Sequence, residues 1–361
     1  MIELPLKLYP ILDALWAHNI TPIVVGGYVR DALLDIHSKD IDIELYNMHS
    51  LEELETILKP FGKLNLVGKS FGVIKLRLQE LEIDFSPPRI ESKHASGHKG
   101  FEIRYDFTLD FATAARRRDF TINAIGYNPQ TKTLLDPYHG VEDLRNKRLM
   151  CVDKRTFIED PLRPLRAVQF VGRFNLTCDP VLLNLCKEMI ASGALEELPK
   201  ERVFEELKKL LLLSTKPSIG LNLLKEMGGE PLFEPPSQTA WNDALLRVDK
   251  LSQNTPKLLA LLFGALLLET KEPDRILKSM TAERSLLRAT KRVIDHAHKF
   301  GSLVTPPPPL LQGRDLIFLG RTPSEEFKTI LESAYEAQLH QMFLTHKEAV
   351  EWLKIYLVTI T

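Results

Sequence analysis

The chain has 361 residues, 44% of them hydrophobic, and its 47 basic and 48 acidic side chains leave a formal net charge of −1, so it can build a sizeable core and more than one domain. No stretch reaches the roughly 20 uninterrupted apolar residues of a membrane helix, and Met1-Ile2-Glu3-Leu4 lacks the basic region of a secretory signal. Cys151, Cys178 and Cys186 form no CxxC pair, which argues against a disulfide framework or a cysteine zinc site and points to a reducing cytoplasm.

Residues 1 to about 150 alternate between two periodicities. Helices are predicted near Pro5–His18, Val29–Leu34 and Leu51–Leu58, and strands at Ile23–Val25, Ile41–Leu45, Val73–Leu78 and Leu81–Phe85. Within this α/β segment a β-branched run ends in Gly26-Gly27, a helix starts, and Asp40-Ile41-Asp42 follows in the next strand. Glycines let backbone N–H groups come close to phosphate oxygens, and a helix start adds a favourable dipole. Asp40 and Asp42 share one face of an extended strand, a pairing that suits a hard cation such as Mg2+ and the phosphates it binds. Pro87 to Tyr105 is polar, with Ser96, Gly97 and Gly100 beside Lys93, His94, His98 and Lys99, and reads as a mobile loop.

Arg116, Arg117 and Arg118 are consecutive, and Arg145, Lys147, Arg148, Lys154, Arg155, Arg163, Arg166 and Arg173 crowd the middle of the chain. A local basic stripe on a neutral protein can hold a polyphosphate or an RNA backbone. In Arg117–Ala124, guanidiniums suit phosphate or base edges, and Asp119 and Asn123 offer ribose-type hydrogen bonds from one face if the stretch is helical. From Phe157 the pattern turns helical, through Phe157–Phe174, Val181–Ser192, Lys200–Leu213, Ile219–Met227, Trp241–Gln253, Pro256–Glu269 and Arg284–Phe300. Pro306–Pro309 reads as a stiff connector ahead of Ser324–Leu339 and His346–Leu357.

Glu159-Asp160-Pro161-Leu162-Arg163-Pro164-Leu165-Arg166 carries the sharpest chemistry. Cytosine and adenine place an exocyclic amine beside an unprotonated ring nitrogen, whereas uracil and guanine place a carbonyl beside a ring N–H. An aspartate accepting from the amine and an arginine donating to the ring nitrogen would take C and A and refuse U and G, because a buried polar group left unpaired is costly.

Together these residues resemble the class II CCA-adding enzymes and their relatives, the bacterial poly(A) polymerases. Gly26–Asp31 with Asp40-Ile41-Asp42 is similar to that family's first motif, which implies that Gly26, Gly27 and Arg30 hold a triphosphate and Asp40 and Asp42 hold two Mg2+ ions. Arg117–Ala124 is similar to the second, placing Arg118 on the nucleotide and Asp119 near its ribose. Asp136–Leu144 resembles the third, thought to couple head and neck. Glu159–Arg166 resembles the amino-acid template for C and A, with Asp160 and Arg163 reading the base, and Glu201–Glu205 resembles a structural neck helix. The resemblance implies an α/β nucleotidyltransferase head with a mixed sheet over 1–150, then an all-α neck over 151–215, body over 216–305 and tail over 306–361, with tRNA along the last three.

The implied reaction is addition or repair of the tRNA 3′ CCA end from CTP and ATP, with Mg2+ as cofactor, in the cytoplasm, with neither a membrane nor an obligate protein partner. An A-adding enzyme, a poly(A) polymerase, a DxD nucleotide-sugar glycosyltransferase and a non-catalytic RNA-binding protein are the alternatives. Asp84 is the candidate third carboxylate and Glu44 its rival. Gln169 stands where many relatives carry arginine, Asp35 where a glycine is usual, and the chain has no His-Asp dipeptide, so phosphatase side activities are not expected. The polar loop is expected to help one pocket switch from C to the larger A.

Overall fold

The computed structural model describes residues 2–65, 72–78, 81–93 and 101–360, with backbone alone at 90–93 and 101–104. Helix α1 (Tyr9–Ala17) leads into strand β1 (Thr21–Val25), whose four C-terminal residues are buried. Helix α2 (Gly27–Leu33) then returns the chain to β2 (Asp40–Tyr46). Ser50 caps α3 (Leu51–Leu58) by accepting from Glu53 N, which satisfies one of the orphan donors of a helix start. Strands β3 (Lys63–Asn65), β4 (Ile74–Leu78) and β5 (Leu81–Ser86) follow.

Next comes a hairpin of β6 (Arg89–Lys93) and β7 (Phe101–Tyr105), joined in antiparallel register from Arg89↔Tyr105 to Lys93↔Phe101. This corrects the expected loop over Pro87–Tyr105, whose two ends are strands. Ser96, Gly97, Gly100, His94, His98 and Lys99 lie outside the described residues. Helix α4 (Phe111–Ala115), strands β8 (Gly126–Asn128) and β9 (Thr133–Leu135) and helix α5 (Gly140–Arg145) complete this part.

Among the described residues the main sheet has seven strands in the order β3-β4-β5-β2-β1-β8-β9. β2 is parallel to β5 and antiparallel to β1, so the sheet is mixed. One face carries Val24, Ile41, Ile43, Leu45, Ile74, Leu76, Ile83 and Phe85 into the main apolar core with α1 and α3. By period-2 alternation the opposite face carries Asp40, Asp42, Glu44, Asp84 and Lys75. There Ile23, Val25 and Tyr46 pack with Ala114 of α4 in a small separate cluster.

The remainder is mostly helical. Helix α6 (Lys154–Phe157) is followed by α7 (Arg163–Phe174), so the helix expected over Phe157–Phe174 begins only at Arg163. Pro164 falls in the first turn of α7, where its missing N–H removes no internal bond, and Asp160 sits in the turn ahead of it. Helices α8 (Pro180–Ala191), α9 (Lys200–Leu213), α10 (Ser218–Glu226), α11 (Gln238–Leu251), α12 (Leu259–Leu267), α13 (Pro273–Met280) and α14 (Arg284–Phe300) continue the same core. The last three helices, α15 (Gly313–Phe318), α16 (Glu326–Leu339) and α17 (His346–Thr359), form an apolar cluster of their own.

Candidate active site

A cleft of about 380 Å³ gathers residues from across the first half of the chain: Gly26, Gly27, Arg30, Asp42, Arg89, Arg117, Arg118, Asp119, Asn123, Asp160, Arg163 and Arg166. Its floor begins at Gly26, whose φ of +70° is open to glycine but strained for an L side chain. A Cβ there would stand 3.1 Å from Arg118 Nη1 and 3.7 Å from Asp42 Oδ2, so any side chain would fill the space between cradle and carboxylate.

Beside the cradle lie the carboxylates. Asp40 and Asp42 are both exposed on β2, and Asp42 is in register with Asp84 on parallel β5. Asp42 opens to the cleft but is walled by protein on its other sides. That partial desolvation pushes its carboxyl above the ordinary aspartate value against the pull of Arg118, and nearby Asp84 and Asp40 push it the same way. Asp84 Oδ2 accepts from Lys75 Nζ at 2.5 Å. A donor set made only of oxygens, in which like charges crowd one another, fits a hard cation. Among the described residues no group of three or more potential metal ligands is already assembled, so further oxygens would come from water or substrate phosphate.

Glu44 lies on the same face but is fully buried. Its oxygens accept from Tyr46 Oη at 2.8 Å and Arg117 Nη2 at 3.1 Å, with Arg118 Nη2 at 3.9 Å. Burial alone would raise its pKa, but Arg118, Arg117 and the Tyr46 hydroxyl hold it below the ordinary range. Burial beside that carboxylate pushes the Tyr46 phenol up. Glu44 thus orients two guanidiniums, whereas Asp84 is the carboxylate next to Asp42.

A hydrogen-bonded relay joins α2 through the Asp119–Asn123 segment to α7. Arg30, buried and stacked on Phe170 and Phe174, donates to Asp31 Oδ1 through Nε and Nη2 and to Asn123 Oδ1 through Nη1 at 2.5 Å. Asn123 Nδ2 donates to Asp119 Oδ1 at 2.9 Å, and Arg166 Nε donates to Asp119 Oδ2 at 2.6 Å. Arg166 in turn lies 3.9 Å from Glu206 of α9. Burial would raise the Asp119 pKa, but Arg166 and Asn123 hold it below the usual carboxylate range. Asp119 and Asn123 therefore do meet, though through a 3-10 turn at Thr121–Asn123 rather than the α-helix that their spacing suggested.

Asp160 Oδ1 accepts from Leu162 N, and its Oδ2 lies 3.8 Å from Arg202 of α9. Arg163, stacked on Phe157, donates to the carbonyls of Thr156 and Arg117, both at 2.7 Å. The third motif braces the second from beneath. Asp136 accepts from Gly140 N and Val141 N, and Asp143 accepts from Thr121 Oγ1 and Arg148 Nε. Gly140 presses on the chain so closely that a Cβ would lie 2.2 Å from Thr121 O.

Sequence reasoning did not single out Arg89, Lys75 or Glu206 for the site. Lys75 reaches it across the neighbouring antiparallel strands β4 and β5, Arg89 from the first residue of β6, and Glu206 from α9 through Arg166. Gln169 is buried, with no hydrogen-bond partner for Nε2, and is not among the described residues lining the cleft.

Residues 23–150 match the family described as "Poly A polymerase head domain", and residues 175–240 match "Probable RNA and SrmB- binding site of polymerase A". The multifunctional CCA protein of Aliivibrio salmonicida is 36% identical over 231 residues, covering 61% of this chain and 54% of that protein. That of Xylella fastidiosa strain 9a5c is 37% identical over 215 residues, covering 59% and 49%. The chain thus aligns with about half the length of these curated relatives. In fold it is similar to the Bacillus stearothermophilus CCA-adding enzyme in complex with CTP, with a TM-score of 0.70 at 20% identity over 99% of both chains. It is likewise similar to the Thermotoga maritima CCA-adding enzyme complexed with tRNA, at 0.64 and 22% over 99% and 97%. The chain thus carries a segment of the poly(A) polymerase head-domain family, which supplies every described cleft residue but Asp160, Arg163 and Arg166, followed by a segment of the polymerase RNA-binding family.

Proposed function

We propose that the protein is a tRNA nucleotidyltransferase that builds or repairs the 3′-terminal CCA from CTP and ATP. The observation that carries the reading is the meeting of the Asp42–Asp84 pair, the Gly26–Arg118 cradle and the Asp160–Arg163 turn around one cleft. Solved relatives of the same fold bind CTP, ATP and tRNA, which supports it. The division into head (1–150), neck (151–215), body (216–305) and tail (306–361) belongs to the same proposal. The separate apolar cluster of the last three helices supports its final boundary. All three cysteines are free thiols, in keeping with a reducing cytoplasm.

Asp40, Asp42 and Asp84 would hold Mg2+, which when bound activates the tRNA 3′-hydroxyl and stabilises charge on the leaving pyrophosphate. Gly26 and Gly27 admit the triphosphate, while Arg30 and Arg118 set positive charge against it. Asp119 and Asn123 face the ribose, with Arg166 fixing Asp119. Asp160 and Arg163 would meet the base edge, Arg163 exchanging for it one of its hydrogen bonds to the carbonyls of Thr156 and Arg117. A bond forms between the 3′-oxygen and the α-phosphorus as the bond from that phosphorus to the β-phosphate bridging oxygen breaks. The hydroxyl proton leaves to solvent.

The test is incubation with tRNAs ending before, within and after the CC, with Mg2+ and each labelled nucleoside triphosphate singly. CTP alone is expected to extend the shorter tRNAs through the second C, and ATP alone to add one A to tRNA ending in CC. Addition of A to tRNA ending in CC with no C addition to either shorter tRNA would make this an A-adding enzyme, and long A tracts would make it a poly(A) polymerase.

A further inference from the structure

Neighbouring strands place Asp42 of β2, Asp84 of β5 and Lys75 of β4 in one lateral row on the open face of the sheet. Adjacent members of such a row stand about 5 Å apart along the hydrogen-bonding direction. The row ends in an ion pair, with Lys75 Nζ on Asp84 Oδ2 at 2.5 Å. A second row, Asp40↔Glu82↔Arg77, repeats the same change from acid to base one step along the strands.

We infer that Lys75 is a displaceable counter-ion of the carboxylate pair, competing with a divalent cation for Asp84 and so limiting how tightly the site takes metal before a nucleotide arrives. The inference rests on the reading of Asp42 and Asp84 as the metal-holding pair. One carboxylate oxygen cannot serve an ammonium at 2.5 Å and a hard cation together, since their charges repel. The contest is an open one, because the Lys75 side chain is 48% exposed and that of Asp84 28% exposed. A half-hydrated pair of this kind shifts an equilibrium by only about two- to fivefold, weak enough to be displaced. Mg2+ commonly completes its shell with substrate phosphates, and no three-ligand group stands ready among the described residues. A triphosphate arriving with its metal supplies those oxygens and tips the balance away from Lys75. Metal and nucleotide would then load together.

The experiment measures Mn2+ binding to the full-length, nucleotide-free chain by the electron paramagnetic resonance of free Mn2+. Lys75→Met should bind Mn2+ about two- to fivefold more tightly than wild type, Lys75→Arg should match wild type, and adding Asp84→Asn to Lys75→Met should erase the gain. Unchanged or weaker binding in Lys75→Met overturns the inference, as does an equal gain in Lys75→Arg. Nucleotide addition to tRNA is assayed on the same preparations. A wild type without transferase activity, alongside the expected Mn2+ pattern, would sink the proposed function and leave the counter-ion. An active wild type without that pattern would do the reverse.

Discussion

Asp42 and Glu44 are two residues apart on one strand face, yet their surroundings assign them opposite tasks. Asp42 opens to the cleft with its proton affinity raised, whereas Glu44 is buried and spent on Arg117, Arg118 and Tyr46. Asp42→Ala should therefore abolish incorporation of both CTP and ATP while leaving tRNA binding within about twofold. As a proposed metal ligand Asp42 acts in the transition state, whereas RNA affinity comes mainly from dispersed phosphate contacts. Single-turnover assays beside gel-shift titrations check this. For the proposed base-reading role the cleaner test is Asp160→Asn, which keeps shape but turns one acceptor into a donor. Misincorporation of UTP or GTP should rise roughly 10- to 100-fold, since a good base contact discriminates by about 1–3 kcal/mol. Unchanged rejection of both would move the template role to another residue.

At the scale of elements, the site depends on a 3-10 turn held from two sides. From below, Gly140 at the start of α5 lies against Thr121 O, and Gly140→Ala has no space to enter. Displacing that backbone should cost about 1–3 kcal/mol, read as a lowered denaturant midpoint, and should reduce turnover for both nucleotides alike. From above, Arg166 of α7 grips Asp119. Because the folded pKa of Asp119 is depressed, its contribution to stability is full above the ordinary carboxylate value of about 4 and fades as pH falls through the folded value. Asp119→Asn should thus lower the thermal midpoint at pH 7, with a loss of about 3–5 kcal/mol for a broken buried pair. The gap from wild type should narrow below about pH 4; a constant gap down to pH 3 would remove the ion pair as its cause.

The same elements explain what was legible in the sequence. Gly26, Gly27, Asp40 and Asp42 could be read because one strand–turn–helix unit and the following strand bring them together, and local spacing encodes that geometry. Lys75 and Arg89 could not, since their approach depends on the pairing of β4 with β5 and on the hairpin fold. The hairpin itself was hidden because Arg89-Ile90-Glu91-Ser92-Lys93 has a single apolar residue, and the polar, glycine-bearing stretch after it obscures the alternation. The Asp119–Arg166 contact spans 47 residues, and no periodicity carries information over that distance.

For the whole molecule, the decisive feature is that the two larger apolar clusters of the described residues meet through a thin seam. The main core runs from Ile2 to Ile294, while Leu311, Leu316, Ile330, Ala334, Ala337, Phe343, Ala349, Leu353 and Leu357 form the second. Between them lie the prolines of 306–309 and a few polar and aromatic contacts, including the Lys299–Glu336 ion pair at 2.7 Å and the edge contact of Phe300 with His340. An exposed ion pair and one aromatic pair contribute on the order of 1–2 kcal/mol together, far less than either core. A chain ending after Thr305 should therefore keep its main calorimetric transition within a few degrees of the full-length value. It should also keep its affinity for nucleoside triphosphates, because none of the described residues lining the cleft lies beyond Arg166. The proposed path of tRNA along the tail predicts a different fate for RNA binding, which should weaken at least tenfold in the same truncated chain. A main transition that collapses with the truncation would mean the two cores fold as one unit. Undiminished tRNA affinity in a well-folded truncated chain would take the tail out of RNA recognition.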